Sequence, residues 1–269
     1  MIAITIDCEQ WNAFELRNKK EEDIYHNSTL FSFKGNKRLL DIFQKNQISA
    51  TFFITGFFAE KHEQQVREIA KSHEIGCHGY NHFYRGNTNL NLREDIVKAK
   101  KILEKILNKN IVGFRAAQMQ SSEKLIEVLT KLGFKYDSSS NSAYIPFLYG
   151  KKEYKDNPLK PFEIYNETLK NKLIEIPASA SYKFRFPFHW IFMRNLPLIY
   201  TIKIVEGLLK KNIPVVLYVH SWEFYPIKKG PVPGYVRNTG DKFARKLDKF
   251  IKYFKNKGVE FVRMNELVS

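Results

Sequence analysis

Two histidines spaced four residues apart, His78 and His82, are the first candidates for chemistry in this sequence. They lie in the segment Glu-Ile-Gly-Cys-His-Gly-Tyr-Asn-His, where Gly79 and Asn81 favour a tight turn over a helix. Either geometry can bring two ring nitrogens to one metal ion, and histidine is the commonest side-chain metal ligand. The spacing alone is a weak indication, because such pairs also occur by chance.

A pair of carboxylates follows the first predicted strand. The apolar run 2–6 leads directly into Asp7, Cys8 and Glu9. Side chains alternate between the two faces of a strand, so Asp7 and Glu9 share one face and Cys8 takes the other. Two neighbouring carboxylates repel each other unless a cation lies between them. The pair therefore indicates a cation near the end of this strand.

Other predicted strands also end at polar or charged residues. The apolar runs 111–114, 134–136 and 215–219 lead into Arg115, Asp137 and His220. Charged groups at several strand ends predict a single shared site. Each has a purely structural alternative: Asp7 with Arg115 as a buried ion pair, His220 as a hydrogen-bonded core histidine, and Asp137 as a turn or cap residue.

Strand and helix patterns alternate along the chain. Apolar periodicity predicts strands at 50–55, 74–77, 173–176 and 259–262 in addition to those above, and helices at 60–71, 122–132, 196–211 and 242–256. Asn91, with Glu94 three residues on, predicts the start of another helix. Seven or eight strands without a Gly-x-Gly-x-x-Gly motif favour an α/β fold of the distorted (β/α)7-8 barrel type over a dinucleotide-binding sheet. In such barrels, chemistry occurs at the C-terminal ends of the strands.

The length of 269 residues suits one large α/β domain or two small ones, and we favour one domain over 1–269. Two long connections, at about 141–171 and 177–195, are expected to be insertions in it. Connections of this length in compact domains more often have a functional role than none.

The chain is strongly basic, with 44 Lys and Arg against 28 Asp and Glu and a net charge of +16. This balance predicts attraction to anionic lipids or substrates, and the alternative is a lysine-rich genome. The sequence has no basic tail, helix-turn-helix pattern or RNA-binding aromatic motif, so we expect no nucleic-acid partner.

Several features favour a cytoplasmic location, with association at a membrane surface kept open. Cys8 and Cys77 are expected to pack as buried thiols toward the helices, which suits a reducing compartment. The first strand starts at residue 2, so no signal peptide is expected. The apolar region 184–205 contains too many charges and prolines for a transmembrane segment.

Five ordered motifs carry a resemblance to a known family. They are Thr5-Ile-Asp-Cys-Glu9, His78-Gly-Tyr-Asn-His82, Phe114-Arg-Ala-Ala117, Tyr136-Asp-Ser-Ser139 and Leu217-Tyr-Val-His220. The set resembles the polysaccharide deacetylases of carbohydrate esterase family 4, the NodB-homology group. Its subgroup with Asp-x-Glu in the first motif and His-x-Trp-Glu in the last is the most similar. The resemblance implies a distorted (β/α) barrel, a divalent metal, and hydrolysis of N- or O-acetyl groups on sugars.

The resemblance also implies roles for individual residues. Asp7 corresponds to the general base, Arg115 to the residue that orients it, and His220 to the general acid. His78 and His82 correspond to metal ligands. The family's usual second aspartate would fall on Cys8, so strand alternation nominates Glu9 as the carboxylate ligand.

The remaining motif positions depart from the family pattern or are less specific. Ala116 stands where proline usually follows the arginine, and Ser140 and Asn141 stand where an aspartate and a tryptophan often follow. Glu223 is therefore a candidate to support His220. The candidate substrate-binding residues are Tyr80, Asp137, Trp222 and Glu223, with Tyr80 alternatively only shaping its loop.

Two imidazoles and a carboxylate suit Zn²⁺, with Co, Ni or Fe as alternatives. The expected substrate is an N-acetylated sugar of a polysaccharide, glycan or glycolipid precursor, including anionic or lipid-linked forms. Two alternatives stay open: a hydrolase of a non-sugar amide or cyclic ureide, as in allantoinase-type members, and a non-catalytic carbohydrate-binding descendant. The sequence leaves the oligomeric state open.

Overall fold

A computed structural model describes residues 1–13, 28–82, 91–147, 156–166 and 171–268. Strands β1 to β9 cover Ile2–Cys8, Thr51–Ile54, Glu74–Cys77, Gly113–Phe114, Tyr136–Asp137, Phe162–Asn166, Asn171–Glu175, Val215–His220 and Phe261–Val262. Helices α1 to α9 cover Leu30–Asn46, Gly56–Lys61, Glu63–Ala70, Leu92–Leu107, Glu123–Lys131, Trp190–Asn195, Leu198–Leu209, Pro233–Val236 and Asp241–Asn256.

The strands form one curled sheet in the order β6, β7, β5, β4, β3, β2, β1, β8, with β9 paired to β1. All pairs are parallel except the β6–β7 hairpin. The segment after β7 links the two sides of the curl, since Ile176 N donates to Asp137 O at 2.8 Å and Ser179 N donates to Val216 O at 3.1 Å. The predicted distorted (β/α) barrel is confirmed.

Strand alternation separates two layers of core. In β1, Ile2, Ile4, Ile6 and Cys8 belong to the large apolar cluster that packs against the helices. Ala3 instead belongs to a smaller cluster with Phe53, Tyr136, Val216 and Met264, inside the curl of the sheet. The alternation that buries Cys8 under the helices therefore turns Thr5, Asp7 and Glu9 toward the interior of the barrel.

Both cysteines lie where the sequence predicted them. Cys8 and Cys77 are free, fully buried thiols in the helix-facing cluster. Burial raises the pKa of each thiol to about 12, so both behave as neutral apolar groups.

Three predicted elements differ in the structure. The helix predicted at 60–71 is two helices, α2 and α3, because His62 has a non-helical backbone with φ −136° and ψ 44°. The described parts of the 141–171 insertion include β6, while 148–155 and 167–170 lie outside the described residues. The 177–195 connection contains α6. Short amphipathic segments of this kind lack the periodicity that identifies longer ones.

Among the helices within the described ranges, none is both long and apolar enough to cross a membrane. The expected cytoplasmic location stays a prediction.

Candidate active site

The candidate site lies where the central strands end. The backbone N–H of His78 donates to Ile54 O at 3.1 Å, and that of Arg115 donates to Cys77 O at 3.0 Å, so both residues continue the sheet ladder. Asp7 and His220 are direct register partners across β1 and β8. Parallel pairing thus brings the C-terminal ends of β1, β3, β4 and β8 to one edge, as expected for a barrel site.

Glu9, His78 and His82 converge in a buried cluster. One ligand atom from each lies within 4.8 Å of the other two. Glu9 Oε2 lies 2.6 Å from His82 Nε2 and 3.4 Å from His78 Nε2. A carboxylate oxygen and two imidazole nitrogens are a donor set typical of catalytic zinc sites.

The other nitrogen of each imidazole has its own partner. His78 Nδ1 lies 2.8 Å from the carbonyl oxygen of Arg115, which can only accept, so Nδ1 carries the proton. His82 Nδ1 lies 3.2 Å from Asn12 Oδ1. Both contacts leave the Nε2 lone pair directed at the cluster, which is how metal-binding histidines are held.

The loop between the two histidines is shaped by Asp95 of α4. Its carboxylate accepts the backbone N–H groups of Tyr80 at 2.8 Å and Asn81 at 3.0 Å, and the Asn81 amide at 3.1 Å. Gly79 adopts a left-handed conformation with φ 71°, which only glycine enters freely. The spacing of four residues therefore acts through a fixed turn and not through a helical face.

The charges of the cluster favour the binding of a positive ion there. Burial by itself raises the pKa of the Glu9 carboxyl, but the nearby imidazoles of His82, His220 and His78 hold that pKa well below its usual range. Burial lowers the pKa of His78, but the carboxylates of Asp7 and Glu9 outweigh it and the pKa is raised. An anionic Glu9 in this setting meets the electrostatic requirement of a cation site.

Two atoms of the cluster are poorly satisfied by the protein itself. Within the described residues, the buried atoms Glu9 Oε2 and His78 Nε2 have no hydrogen-bond partner of good geometry. The contact from His82 Nε2 satisfies Glu9 Oε2 only when that nitrogen is protonated, and the Asn12 contact favours the proton on Nδ1. Buried polar atoms without partners are costly, and a bound divalent ion would satisfy both. The residues therefore fit a metal.

Arg115 fixes Asp7 beside this cluster. Its guanidinium is fully buried, and Nη1 donates to Asp7 Oδ1 at 2.7 Å and to Thr5 Oγ1 at 2.8 Å. Nε and Nη2 donate to the backbone oxygen and the hydroxyl of Ser138. All three nitrogens are engaged, so the guanidinium and the Asp7 carboxylate have a single geometry.

His220 is oriented by three residues other than those that hold Asp7. Its Nδ1 lies 3.0 Å from Glu223 Oε1, and its backbone N–H donates to the same oxygen at 2.9 Å. The imidazole stacks on the Trp222 ring with centroids 5.0 Å apart, and it makes an edge-to-face contact with the Trp190 ring at a centroid distance of 5.0 Å. Burial lowers the pKa of His220, which the Glu9 and Asp7 carboxylates partly oppose. These contacts leave Nε2 as the nitrogen available to a substrate.

Glu223 is itself fully buried and paired with Arg194 from the end of α6. The Arg194 side chain also donates to the backbone oxygens of Arg237 at 2.8 Å, Tyr235 at 2.6 Å and Gly234 at 3.0 Å. Glu223 therefore contacts His220 directly and the 234–237 segment only through Arg194. Its two carboxylate oxygens are occupied, so it offers no free edge for the substrate contact that the sequence suggested.

The other three candidate substrate-binding residues also have protein partners. The Trp222 indole N–H donates to Glu9 Oε1 at 3.0 Å and so holds the carboxylate of the Glu9, His78 and His82 cluster. Tyr80 OH donates to Glu60 at 2.7 Å, on the helix side of the loop, so the structure does not bring Tyr80 into the cluster. Its alternative role in shaping the loop accounts for this position.

Asp137 is fully buried against Glu175, its register partner on β7. It accepts the Ser139 hydroxyl at 2.6 Å, and Ser139 Oγ accepts the backbone N–H of Ala116 at 2.8 Å. A proline at position 116 would have no N–H to donate. Ala116 does donate its backbone N–H to Ser139 Oγ and therefore takes part in this hydrogen-bond chain. Asp137 therefore acts in the wall beneath the site and not on its surface.

Sequence reasoning did not connect Asp95, Arg194 or Trp190 with the site residues that they contact. Asp95 had a detectable signal, because acidic residues in the first turn of a helix can also accept from neighbouring loops. The contacts of Arg194 with Glu223 and of Trp190 with His220 had none, since these partners lie about 30 positions further along the chain.

Comparison with known proteins gives one family. The polysaccharide deacetylase family matches residues 33–136. The peptidoglycan deacetylase of Helicobacter pylori is 34% identical over 107 residues, which are 39% of this chain and 36% of that protein. The aligned segments span about a third of the length of the curated relatives that the chain matches.

Two solved structures extend the similarity of fold to nearly the whole chain. A probable polysaccharide deacetylase from Pseudomonas aeruginosa superposes with a TM-score of 0.65 at 19% identity, covering 99% of this chain and 89% of that one. The PuuE allantoinase superposes with a TM-score of 0.65 at 18% identity, covering 99% and 88%. At these identities the two likenesses concern the fold alone.

Proposed function

We propose that this chain, whose residues 33–136 match the polysaccharide deacetylase family, removes acetyl groups from an N-acetylated sugar. One observation carries the proposal: the buried Glu9, His78 and His82 cluster lies at the same sheet edge as the Asp7–Arg115 pair and His220. A module that only binds carbohydrate has no need for all of these groups together.

Glu9, His78 and His82 would hold a divalent ion, and zinc suits two imidazoles and one carboxylate best. Cobalt, nickel and iron accept the same donors. Such an ion, when bound, polarises the acetyl carbonyl and lowers the pKa of a water molecule.

Asp7 is the proposed general base. Its Oδ1 is held by Arg115, so the carboxylate has one orientation relative to the site and receives the proton of the attacking water. Arg115 is a positioning residue, because its nitrogens are engaged by Asp7, Thr5 and Ser138.

His220 is the proposed general acid. Its Nδ1 is directed to Glu223, so its Nε2 is the atom that would give a proton to the departing sugar nitrogen. The reaction balances as addition of water to the amide, cleavage of the carbon–nitrogen bond, and release of acetate and an amine.

The proposed substrate class is an N-acetylated glycan, including the peptidoglycan after which several relatives are named. We also propose that the chain forms one domain. The sheet supports this, because β8 and β9 from the C-terminal part both pair with β1.

The experiment that tests the proposed function combines metal analysis with acetate release from N-acetylglucosamine oligomers. We expect Asp7→Asn to keep its metal and to lose about 10²- to 10⁴-fold in turnover. We expect the double variant His78→Ala, His82→Ala to lose both metal and turnover.

Full metal content in the double variant would contradict the metal site. Unchanged turnover in Asp7→Asn would remove the base from the mechanism. Hydrolysis of allantoin with none of any acetylated sugar would move the function to ureide hydrolysis within the same fold.

A further inference from the structure

A short hairpin in the 177–195 connection displays three aromatic side chains. Ala180 and Pro187 form an antiparallel bridge, Ser181 N donates to Phe186 O at 2.9 Å, and Phe186 N donates to Ser181 Oγ at 2.9 Å. Arg185 N closes the tip by donating to Ser181 O at 3.1 Å. The hairpin backbone is therefore fixed by its own hydrogen bonds.

The rings on this hairpin face solvent. Tyr182 is 48% exposed, Phe184 is 69% exposed and Phe186 is 39% exposed. The Phe184 and Phe186 rings lie 5.9 Å apart and form one apolar surface. Single exposed apolar residues are common, but three aromatics within five positions form a patch that indicates an interaction site.

Helix α7 supplies the other wall of an open groove of about 450 Å³. The wall is formed at helical spacing by Tyr200, Lys203, Ile204 and Gly207. Lys211, just past the end of the helix, and Lys183 of the hairpin complete the rim. No lining residue is acidic. Glu206, the acidic residue of α7, binds Tyr253 and Lys257 on the α9 side of the helix.

We propose that this aromatic–lysine patch, formed by Tyr182, Lys183, Phe184, Phe186, Lys203 and Lys211, docks on an anionic bilayer surface. Aromatic rings enter the interface between headgroups and acyl chains, and lysines extend along it to reach lipid phosphates. The positive rim and the overall charge of +16 complement an anionic leaflet. The proposal does not depend on the proposed hydrolysis.

Co-sedimentation with vesicles tests the patch. The full chain is mixed with vesicles of phosphatidylcholine alone or of phosphatidylcholine with phosphatidylglycerol. We expect binding to the anionic vesicles that weakens with salt. Two triple variants, Tyr182→Ser with Phe184→Ser and Phe186→Ser, and Lys183→Gln with Lys203→Gln and Lys211→Gln, should each lose at least about tenfold in partitioning.

Two matched controls separate the patch from general properties. Lys242→Gln, Arg245→Gln and Lys249→Gln together remove the same charge from the exposed face of α9. Phe147→Ser removes a fully exposed aromatic elsewhere. We expect both to bind like the wild type, and circular dichroism verifies the folding of every variant.

Equal loss in the α9 control would overturn the proposal, because binding would then follow net charge alone. Absence of binding to anionic vesicles, or equal binding to the neutral ones, would overturn it as well. Self-association that the aromatic variant abolishes, measured by analytical ultracentrifugation, would assign the patch to a second copy of the chain instead.

Discussion

Glu223 Oε1 lies 3.0 Å from His220 Nδ1, while Glu223 Oε2 pairs with the guanidinium of Arg194. Both carboxylate oxygens are therefore engaged in a place without solvent. One side chain thus connects the proposed general acid to the α6 region, which sequence motifs did not link to the site.

Substituting Glu223→Gln should reduce turnover while leaving metal content and KM near wild type. The amide keeps the shape of the side chain but removes the negative charge that orients and supports the His220 ring. We expect kcat to fall by about 10- to 100-fold, a part of the contribution of general acid catalysis. The change also removes the charge partner of Arg194, so kcat is expressed per folded protein, with steady-state kinetics on an N-acetylglucosamine oligomer, metal analysis and circular dichroism measured together. Glu206→Gln on the surface is the control, and equal kcat in both variants would contradict the positioning role.

Substituting Arg194→Met should destabilise the fold. The change leaves the buried Glu223 carboxylate without its guanidinium partner and removes hydrogen bonds to the backbone oxygens of Gly234, Tyr235 and Arg237. Loss of one partner of a buried ion pair costs about 3–5 kcal/mol in the free energy of unfolding. Urea unfolding measures it. Arg67→Met, which breaks an exposed ion pair with Glu63, should change stability by less than about 1 kcal/mol. Similar losses of unfolding free energy in the two variants would contradict a stabilising role for the buried pair of Arg194 and Glu223.

Substituting Trp222→Phe should weaken metal binding. The change removes the indole N–H that donates to Glu9 Oε1 at 3.0 Å, and so releases the proposed carboxylate ligand. Loss of such an outer hydrogen bond lowers metal affinity by about 10- to 100-fold. Competition with a chromophoric chelator measures the dissociation constant for Zn²⁺. Trp190→Phe is the matched control, because Trp190 packs against Trp222 at 6.1 Å and also borders His220. Equal affinity in the two variants would remove the assigned role of the indole.

Substituting Glu175→Gln should make the stability of the protein less dependent on pH. Burial raises the pKa of Asp137 to about 6, and burial with the Asp137 charge raises that of Glu175 well above its usual range. The folded pair holds protons that the unfolded chain releases above about pH 4. The contribution of this proton binding to the free energy of unfolding is therefore complete below that pH, and it is lost as the pH rises through about 6 and beyond.

In Glu175→Gln the amide can donate to Asp137 at every pH, so melting temperature should fall less between about pH 4.5 and 8 than in the wild type. Thermal unfolding across this range measures the difference. Glu163→Gln, an exposed carboxylate paired with Lys172, serves as the control. An unchanged slope in Glu175→Gln would show that the pair does not share a proton in the folded state.

The central strands and the residues at their ends were predictable because they depend on local pattern. Alternation along residues 2–9 was sufficient to assign Asp7 and Glu9 to one face and Cys8 to the other. Apolar periodicity over 242–256 likewise identified α9, and Asn91 with Glu94 identified the start of α4. Motif order then predicted that Asp7, His78 and His220 meet, since parallel strands present their C-terminal ends at one edge.

The tertiary structure decided which candidates face the site and which support it. Tyr80 lies next to His78 and His82 in sequence, but its ring points toward Glu60. Glu223 has its orientation set by Arg194, 29 positions away, and the loop of His78 and His82 depends on Asp95 in another helix. Strand and helix periodicity encode the face that a residue occupies, because they are set by neighbours along the chain. Hydrogen bonds between distant segments have no such period, so only the folded chain determines which side chains reach the site.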